Sequence, residues 1–426
     1  MKKQLPKLAQ KKNSKHFFRC SNVTTCLPAG KVKQFNNVLI LAFILFLPTQ
    51  LGKHFFLPFS YLSGIRTDYL APTIYLTDII VFLLILINLK SVICFLKKKQ
   101  IIFILVLLFI NVLFSRSIFV SIYRYIKTVE ILSVGFLAYR TFLKDKLILL
   151  GFLVTGLVEL TLSVFQLVNK RSLQGIFYFL GERYLNLSMP DIAKASINGM
   201  ELLRPYGTFS HPNSLAGFYL LLYFLVLTNK KLNKFFILKY FSLFVFSILV
   251  FLSFSKIAIF TYLLLSVIYY LASIKRCRIC RVSRLITIFV VGALFLQPQT
   301  DPLTIQKRIE LIKNSLYIII HYPVFGVGIG SYLVVQNQMP SKFFYFFNQP
   351  VHNIFLLFFA ELGIPLGLFI FYKFFIFLKK LPPSTFYLLF SILITGFFDH
   401  YWLTLQQNFL LLGFIIGGLF SPRRLS

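Results

Sequence analysis

The chain has 426 residues, of which 58% are hydrophobic, 18% are aromatic and only 13% are charged. A soluble protein of this length cannot cover so much apolar surface with so few charges. The formal net charge of +33 would suit nucleic-acid binding, so the distribution of the basic residues along the chain has to be considered as well.

Long apolar segments recur along the whole sequence, which is typical of a multi-spanning helical membrane protein. No small-residue cleavage site ends the first of them, so we interpret it as a retained span that follows a basic tail, residues 1–35, and not as a signal peptide. We therefore predict an all-α polytopic membrane domain over residues 36–426, with about twelve transmembrane helices near 36–51, 73–96, 101–115, 118–139, 147–168, 210–228, 235–253, 256–274, 285–297, 352–372, 384–397 and 400–420.

Most of the 45 Lys and Arg residues fall in alternate connecting segments, beginning with the basic tail. The positive-inside rule places these segments and both termini in the cytoplasm, which predicts a multi-pass protein of the cell inner (cytoplasmic) membrane. Topology and contact with anionic membrane lipids account for the charge, so we expect no nucleic-acid partner.

Two of the predicted outer loops are longer than a helix connection requires. The first covers residues 169–209, and the second covers residues 298–351 between helices nine and ten. The second contains TDPLTIQKRIELIKNSLYIIIHYP, whose apolar residues recur at helical spacing, and we predict an amphipathic helix near the membrane surface. The FGVGIGSY segment that follows has glycines spaced as in a dinucleotide loop, but no βαβ unit surrounds it, and a simple turn is the favoured interpretation.

Cysteine spacing and acidic motifs give little support to metal chemistry. Cys277 and Cys280 form a single CxxC in a predicted inner loop, where a reducing compartment disfavours disulfides; a zinc site together with Cys20 and Cys26 is the alternative, and the role of the pair stays open. The sequence contains no DxD-like diad, HExxH, P-loop or GxSxG motif. This argues against metal-dependent glycosyl transfer and serine hydrolysis.

The few cationic residues predicted outside cluster in specific segments. Arg204 opens RPYGTFSHPN, Lys256 begins a span in SFSKIAIF, Arg308 lies in the large loop, and His352 with Asn353 stands where that loop re-enters the membrane. Such cations suit an anionic headgroup, particularly a lipid-linked diphosphate, and a neutral imidazole beside it can take a proton from an attacking hydroxyl.

Each of these residues also has a plainer interpretation. Arg204 and Lys256 are long enough to extend to lipid headgroups without binding a substrate. His211, which precedes a proline, suits a turn or the start of a helix.

The sequence resembles the O-antigen ligase and O-antigen polymerase superfamily of bacterial envelope proteins. The resemblance rests on RPYGTFSHPNSLAGF (Arg204–Phe218), SFSKIAIF (Ser253–Phe260), HYPVFGVGIGSY (His321–Tyr332), QPVHNIFLLFFAELGIPLGL (Gln349–Leu368) and FDHYWLTLQQNFLLLGFIIGGL (Phe398–Leu419). It covers the C-terminal half closely, and the N-terminal half mainly in the arrangement of the spans.

This resemblance implies a membrane glycosyltransferase that moves a glycan from undecaprenyl diphosphate to an acceptor hydroxyl outside the cytoplasm, without a metal, nucleotide or other cofactor. It implies Arg204 as a phosphate-binding residue and His352 as the catalytic base; Lys256, Asn353, His211 and Arg308 complete the predicted substrate-binding set. Family members usually have an arginine where this chain has Lys256, and lysine lacks the bidentate guanidinium.

Three functions follow from these predictions. A ligase joins the glycan to a different lipid or protein acceptor, and a polymerase of the same superfamily joins it to a second lipid-linked repeat. A transporter of lipid-linked glycans is the third, and it would require polar residues through the middle of the membrane.

Overall fold

A computed structural model describes residues 29–140, 143–190, 192–197, 199–272, 282, 286, 290, 302–340, 348–379 and 385–420. The basic tail before residue 29, most of the predicted span 285–297 and both cysteine pairs lie outside the described residues. The all-α class is confirmed, because the described residues are mostly helical. The number of membrane spans stays a prediction.

The helices alternate with short loops over most of the chain. They are α1 Ala29–Phe46, α2 Leu76–Ile87, α3 Leu89–Leu96, α4 Lys99–Leu113, α5 Ile118–Arg140, α6 Asp145–Asn169, α7 Pro212–Thr228, α8 Phe236–Leu252, α9 Lys256–Ala272, α10 Pro302–His321, α11 Tyr332–Gln336, α12 Ile354–Leu362, α13 Ile364–Leu378, α14 Phe386–Phe398, α15 Tyr401–Thr404 and α16 Gln406–Leu419.

The loops contain short antiparallel β-ribbons. The strands are β1 Gly52–His54, β2 Tyr61–Leu62, β3 Ile65–Arg66, β4 Thr73–Tyr75, β5 Lys194–Ile197 and β6 Met200–Leu203, and they pair as β1–β4, β2–β3 and β5–β6.

Several helices have the length and apolar composition that membrane insertion requires. Within the described residues, α6 and the segment Lys230–Leu252 are each long and apolar enough to cross a membrane, and α2 with α3 forms a third span if a 92° bend is allowed. Seven shorter apolar helices accompany them, among them α4, α7, α9 and α16. Together with the family assignment given below, these helices indicate an integral membrane protein.

Three predicted spans are broken, for local reasons. Residues 73–75 form β4, and the helix that follows is interrupted at Asn88, whose side chain donates to the carbonyl of Leu84 and to the side chain of Asn36. The predicted span 352–372 is divided at Gly363, which adopts a positive φ of 78° between α12 and α13. The predicted span 400–420 is divided at Leu405, whose extended backbone separates α15 from α16.

Helix α7 occupies the centre of the core. Every residue from Pro212 to Leu227 is buried, and α8, α9, α14 and α16 surround this helix. An apolar helix that is buried on all sides suits the interior of a helical membrane protein. Helix α16 packs closely along α5, where a Cβ atom on Gly417 would overlap the carbonyl of Gly135.

A charged network links α2, α5 and α16. Lys127 lies 3.2 Å from Glu130 within α5, which is the internal ion pair that their spacing favours, and it also contacts Asp78 of α2. The Gln406 side chain donates to the same Asp78 carboxylate. These contacts compensate the charges that α2 and α5 carry.

The loops that are predicted to lie on the outer side of the membrane contact one another at one end of the helices. We call this end, which includes residues 47–75, 170–211 and 253–255, the site end. Thr49 contacts the carbonyl of Leu180, and Arg204 contacts Ser253. Helix α10 lies in the predicted large loop, where Leu311, Ser315 and Ile318 are buried and a stripe of apolar residues is exposed, namely Ile305, Ile309, Ile312, Leu316 and Ile320. Its contact with a membrane surface stays a prediction.

Candidate functional site

The loop that carries Arg204 is held in place by polar side chains of α6. The Gln166 side-chain oxygen accepts the backbone N–H groups of Tyr206 and Gly207, both at 2.9 Å. Glu159, about two turns earlier on α6, accepts the backbone N–H of Thr208 at 2.9 Å and also its hydroxyl. These buried hydrogen bonds fix the loop against α6 before the chain enters α7.

Gly207 is required at its position for two reasons. Its φ is +59°, which favours glycine, and a Cβ atom there would overlap the Glu159 carboxylate. Any larger residue would therefore displace the loop that positions Arg204.

Arg204 connects two segments that the sequence motifs singled out. Its Nε donates to the carbonyl of Ser253 at 2.9 Å, and its Nη2 donates to the Asn213 side-chain oxygen at 2.6 Å. Burial lowers the pKa of its guanidinium to about 10, with smaller effects from Asp399 and Arg308, so Arg204 is a cation at neutral pH. Lys256 begins α9 directly after the turn that Arg204 contacts.

His352 forms a pair with Asp399. The His352 Nδ1 atom lies 3.4 Å from Asp399 Oδ1, and 16% of the His352 side chain is exposed. Asp399 also accepts the His400 backbone N–H at 2.8 Å and the Asn213 amide at 2.7 Å. When Nδ1–H donates to the carboxylate, Nε2 is the unprotonated nitrogen that can accept a proton.

The surroundings of Asp399 keep it ionised. Burial alone raises the pKa of its carboxyl, but the hydrogen bond from His352 and the charge that this imidazole gains on protonation outweigh burial and hold the pKa well below its usual value. Asp399 can therefore stabilise a protonated His352, which is the role of the carboxylate in a base–carboxylate pair.

Two further histidines border the pair. The His400 ring lies 5.2 Å from that of His352, and its Nδ1 contacts the Thr404 hydroxyl at 2.7 Å. His211 is the N-cap of α7 and accepts the Asn213 backbone N–H at 3.1 Å. His400 is buried and His211 is half-buried, and both side chains are engaged by these contacts. His211 thus has the helix-start role that its sequence position favoured.

Asn353 and Arg308, the remaining predicted substrate-binding residues, differ in how far their side chains are engaged within the protein. Asn353 caps α12 by accepting the N–H groups of Phe355 and Leu356, and its amide donates to the Phe397 carbonyl at 3.0 Å. Because both ends of its side chain are engaged, we assign Asn353 a positioning role. Arg308 is half-buried and donates to the carbonyl of Phe398, the neighbour of Asp399, at 3.4 Å.

The glycine-rich turn after α10 is a packing element. The N–H of Val327 donates to the Ala360 carbonyl at 2.9 Å, and the N–H of Gly328 donates to that of Glu361 at 3.0 Å. The N–H of Ile329 donates to the Asn111 side chain at 2.9 Å. These amides are therefore engaged within the protein, in agreement with the simple turn favoured from the sequence.

His352, Asp399 and His400 also meet the spacing of a metal-binding group, since their ligand atoms lie within 4.8 Å of one another. The charges around them favour an anion instead, because Arg204 donates to Asn213, which also bonds Asp399, and Arg308 reaches the carbonyl of Phe398 beside Asp399. We therefore interpret the group as acid–base machinery beside an anion site.

Sequence reasoning missed several residues that the structure brings to the site. Asp399 stands in the FDHYW motif, but nothing in the local sequence shows that it pairs with His352. Arg124 is a cation inside a predicted span, which is itself a signal of function. Gln166 gives no signal in the sequence, because an amide in an apolar helix is not distinguished by spacing or charge.

The family comparison agrees with the fold and with the motifs. Residues 216–372 match the model of the family Wzy_C, described as O-antigen ligase. This match supports the resemblance to the O-antigen ligase and polymerase superfamily that the sequence motifs carry. The matched segment contains Lys256, Arg308 and His352, whereas Arg204 and Asp399 lie outside it. A search of curated proteins gives no match.

Proposed function

We propose that this protein is an O-antigen ligase-like membrane glycosyltransferase. It transfers a glycan from an undecaprenyl-diphosphate carrier to an acceptor hydroxyl at the outer face of the cytoplasmic membrane. The observation that carries the proposal is the pairing of His352 with Asp399 beside Arg204, in a chain whose central segment matches the O-antigen ligase family.

The reaction needs a base, and His352 is placed to supply it. Its Nε2 takes the proton of the acceptor hydroxyl while the acceptor oxygen attacks the anomeric carbon of the donor sugar. The ionised Asp399 stabilises the imidazolium that forms and keeps Nδ1 protonated, so that Nε2 is always the accepting atom.

The leaving group is a diphosphate, and its charge grows as the bond from the anomeric carbon to the phosphate oxygen breaks. The departing oxygen keeps the electron pair, and Arg204 and Lys256 stabilise the negative charge. A single displacement of this kind inverts the configuration of the anomeric carbon. Asn213 holds Arg204 in place, because its side chain accepts a hydrogen bond from Arg204 and donates one to Asp399.

This mechanism requires the site end to face away from the cytoplasm, with both termini inside. It also assigns the loops 169–209 and 298–351 to the outer face, where a lipid-linked glycan and its acceptor meet.

The proposal is tested with purified full-length protein in lipid nanodiscs. Lipid-linked glycan extracted from the bacterium that carries the gene is mixed with candidate acceptor lipids, and we expect glycan transfer with release of undecaprenyl diphosphate. Binding of the lipid-linked glycan without any transfer, together with its movement across vesicle membranes, would instead identify a transporter.

A ligase and a polymerase of this superfamily are separated by deleting the gene. We propose a ligase, so the deletion strain should keep polymeric glycan on the lipid carrier and lose the attached form. Loss of the ladder of polymer lengths would identify a polymerase.

A further inference from the structure

Two cavities of different character meet at Arg124, close to the proposed site. One is a polar cavity of about 350 Å³ formed by loops of the site end, and the other is an apolar cavity of about 270 Å³ among α4, α5 and α12. Tyr69, Arg124 and Thr404 line both cavities. The polar cavity, the Arg124 guanidinium and the apolar cavity are therefore arranged in that order.

We infer, on the basis of the proposed function, that these cavities hold the two ends of the donor. The polar cavity binds the first sugars of the lipid-linked glycan, and the apolar cavity binds the adjoining part of the polyprenyl chain. Arg124 binds the diphosphate between them and adds a third cation to Arg204 and Lys256. None of the described residues that line the polar cavity belongs to the segment that matches the family model, residues 216–372.

The walls of the polar cavity have the side chains that recognise a sugar. Tyr178 and Tyr184 are 57% and 65% exposed, and both line it, offering flat apolar faces. Gln50 and Gln174 also line it, and the Nε2 atom of each is buried without a hydrogen-bond partner among the described residues. Buried amides are almost always satisfied, so two unsatisfied ones at one cavity indicate a ligand with hydroxyl groups.

Apart from Arg124, the charged side chains in these walls are engaged within the protein, which favours an uncharged ligand away from Arg124. Asp68 pairs with Arg183 at 3.7 Å. Glu182 is occupied by three donors, the Gln166 amide and the backbone N–H groups of Leu173 and Gln174. A volume of about 350 Å³ lies at the lower end of the usual range for ligand pockets, about 300–1,000 Å³, and suits a mono- or disaccharide.

Arg124 is available for an anion. Its guanidinium contacts only the carbonyls of Thr404 and Tyr69, each at 3.5 Å, and no carboxylate in the described part of the chain lies within ion-pair distance of it. Two long contacts to neutral oxygens leave most of its five N–H donors for phosphate oxygens.

The polar cavity adjoins the proposed catalytic pair. His211 lines it, and the ring of Tyr69 lies 5.6 Å from that of His400, which in turn lies 5.2 Å from His352. A sugar in this cavity is therefore next to the base, and the order of the cavities matches the order of chain, diphosphate and sugar in the donor.

Binding measurements on the full-length protein in nanodiscs test this inference with two probes, sugar-free undecaprenyl diphosphate and the extracted lipid-linked glycan. Gln50→Leu and Tyr178→Ala should weaken binding of the lipid-linked glycan about three- to tenfold, because each loses one contact to the sugar, and should leave binding of the sugar-free probe unchanged. Phe179→Ala is the matched control, since Phe179 is an exposed aromatic neighbour that does not line the cavity.

Arg124→Met keeps the aliphatic stem that packs against Gly330 and removes the charge. It should weaken both probes about tenfold or more, because a charge-assisted contact to phosphate is lost. Arg116→Met is its control, since Arg116 lies over the Tyr322 ring and lines neither cavity.

Equal effects of Gln50→Leu and Tyr178→Ala on both probes, or no effect on either, would overturn the sugar assignment. A rise in KM for the acceptor alone would show that the polar cavity holds the acceptor and overturn the donor assignment. If the wild-type protein binds the two probes as expected but transfers no glycan, the proposed function fails while the cavity assignment stands.

Discussion

The segment that matches the family model and the residues outside it contribute different parts of one site. In the proposed function, the segment 216–372 supplies the base, His352, and the cation Lys256. The carboxylate paired with His352, the arginine beside it and the α6 side chains that hold the loop of that arginine come from outside the segment. The proposed chemistry thus rests on the family match, and the geometry of the proposed site depends on the surrounding chain. Three predictions test this division, from the largest expected effect to the smallest.

Asp399, outside the matched segment, should matter nearly as much as His352 within it. Asp399→Asn should lower the turnover of glycan transfer by about 10²-fold or more, because the imidazole loses its counter-charge and its fixed tautomer. Asp145→Asn, at the start of α6 and away from the site end, is the control. Turnover within a factor of about two of wild type would show that His352 acts without the carboxylate.

A substitution at Gly207 tests whether the side chains of α6 position Arg204. Gly207→Ala should lower the thermal unfolding temperature and reduce transfer about tenfold or more, because the new Cβ overlaps Glu159 and shifts the loop. Gly64→Ala is a matched control with the same left-handed conformation, φ +79°, and open space around it. Similar losses in the two variants would mean that backbone strain alone explains the effect.

Lys256 is the position inside the matched segment that departs from the usual arginine. Lys256→Arg should raise the rate of transfer about two- to tenfold, since a guanidinium binds phosphate oxygens in a bidentate manner. Lys256→Met should lower it, and Lys373→Arg on α13 controls for a general effect of arginine. A rate that is the same with lysine, arginine and methionine would remove this residue from the diphosphate site.

The sequence predicts the helices well because apolar segments report membrane insertion directly. Each predicted span that the structure describes coincides with a helix or a pair of helices. The errors are at Asn88, Gly363 and Leu405, where hydrogen bonding, a positive φ and an extended residue, respectively, break the predicted span. Hydropathy cannot detect such breaks, because the residues on both sides remain apolar.

The site is predicted less completely, for a different reason. Arg204 and His352 are conspicuous as polar residues in an apolar chain, and the structure brings both to Asp399 and Asn213. The contacts that organise them join residues far apart in the sequence, such as Gln166 with Tyr206 and Asn213 with Asp399. No local pattern encodes these pairs, so only the three-dimensional fold shows them.

The central claim is that His352 is the base of a glycan transfer reaction, and its removal tests that claim most directly. Purified wild-type, His352→Ala and His321→Ala proteins are compared in nanodiscs for binding of the extracted lipid-linked glycan and for its transfer to the acceptor. We expect His352→Ala to keep binding within a factor of about two and to lose about 10²- to 10⁴-fold in turnover, as removal of a general base does, while His321→Ala behaves as wild type. Unchanged turnover in a folded His352→Ala protein would contradict the account.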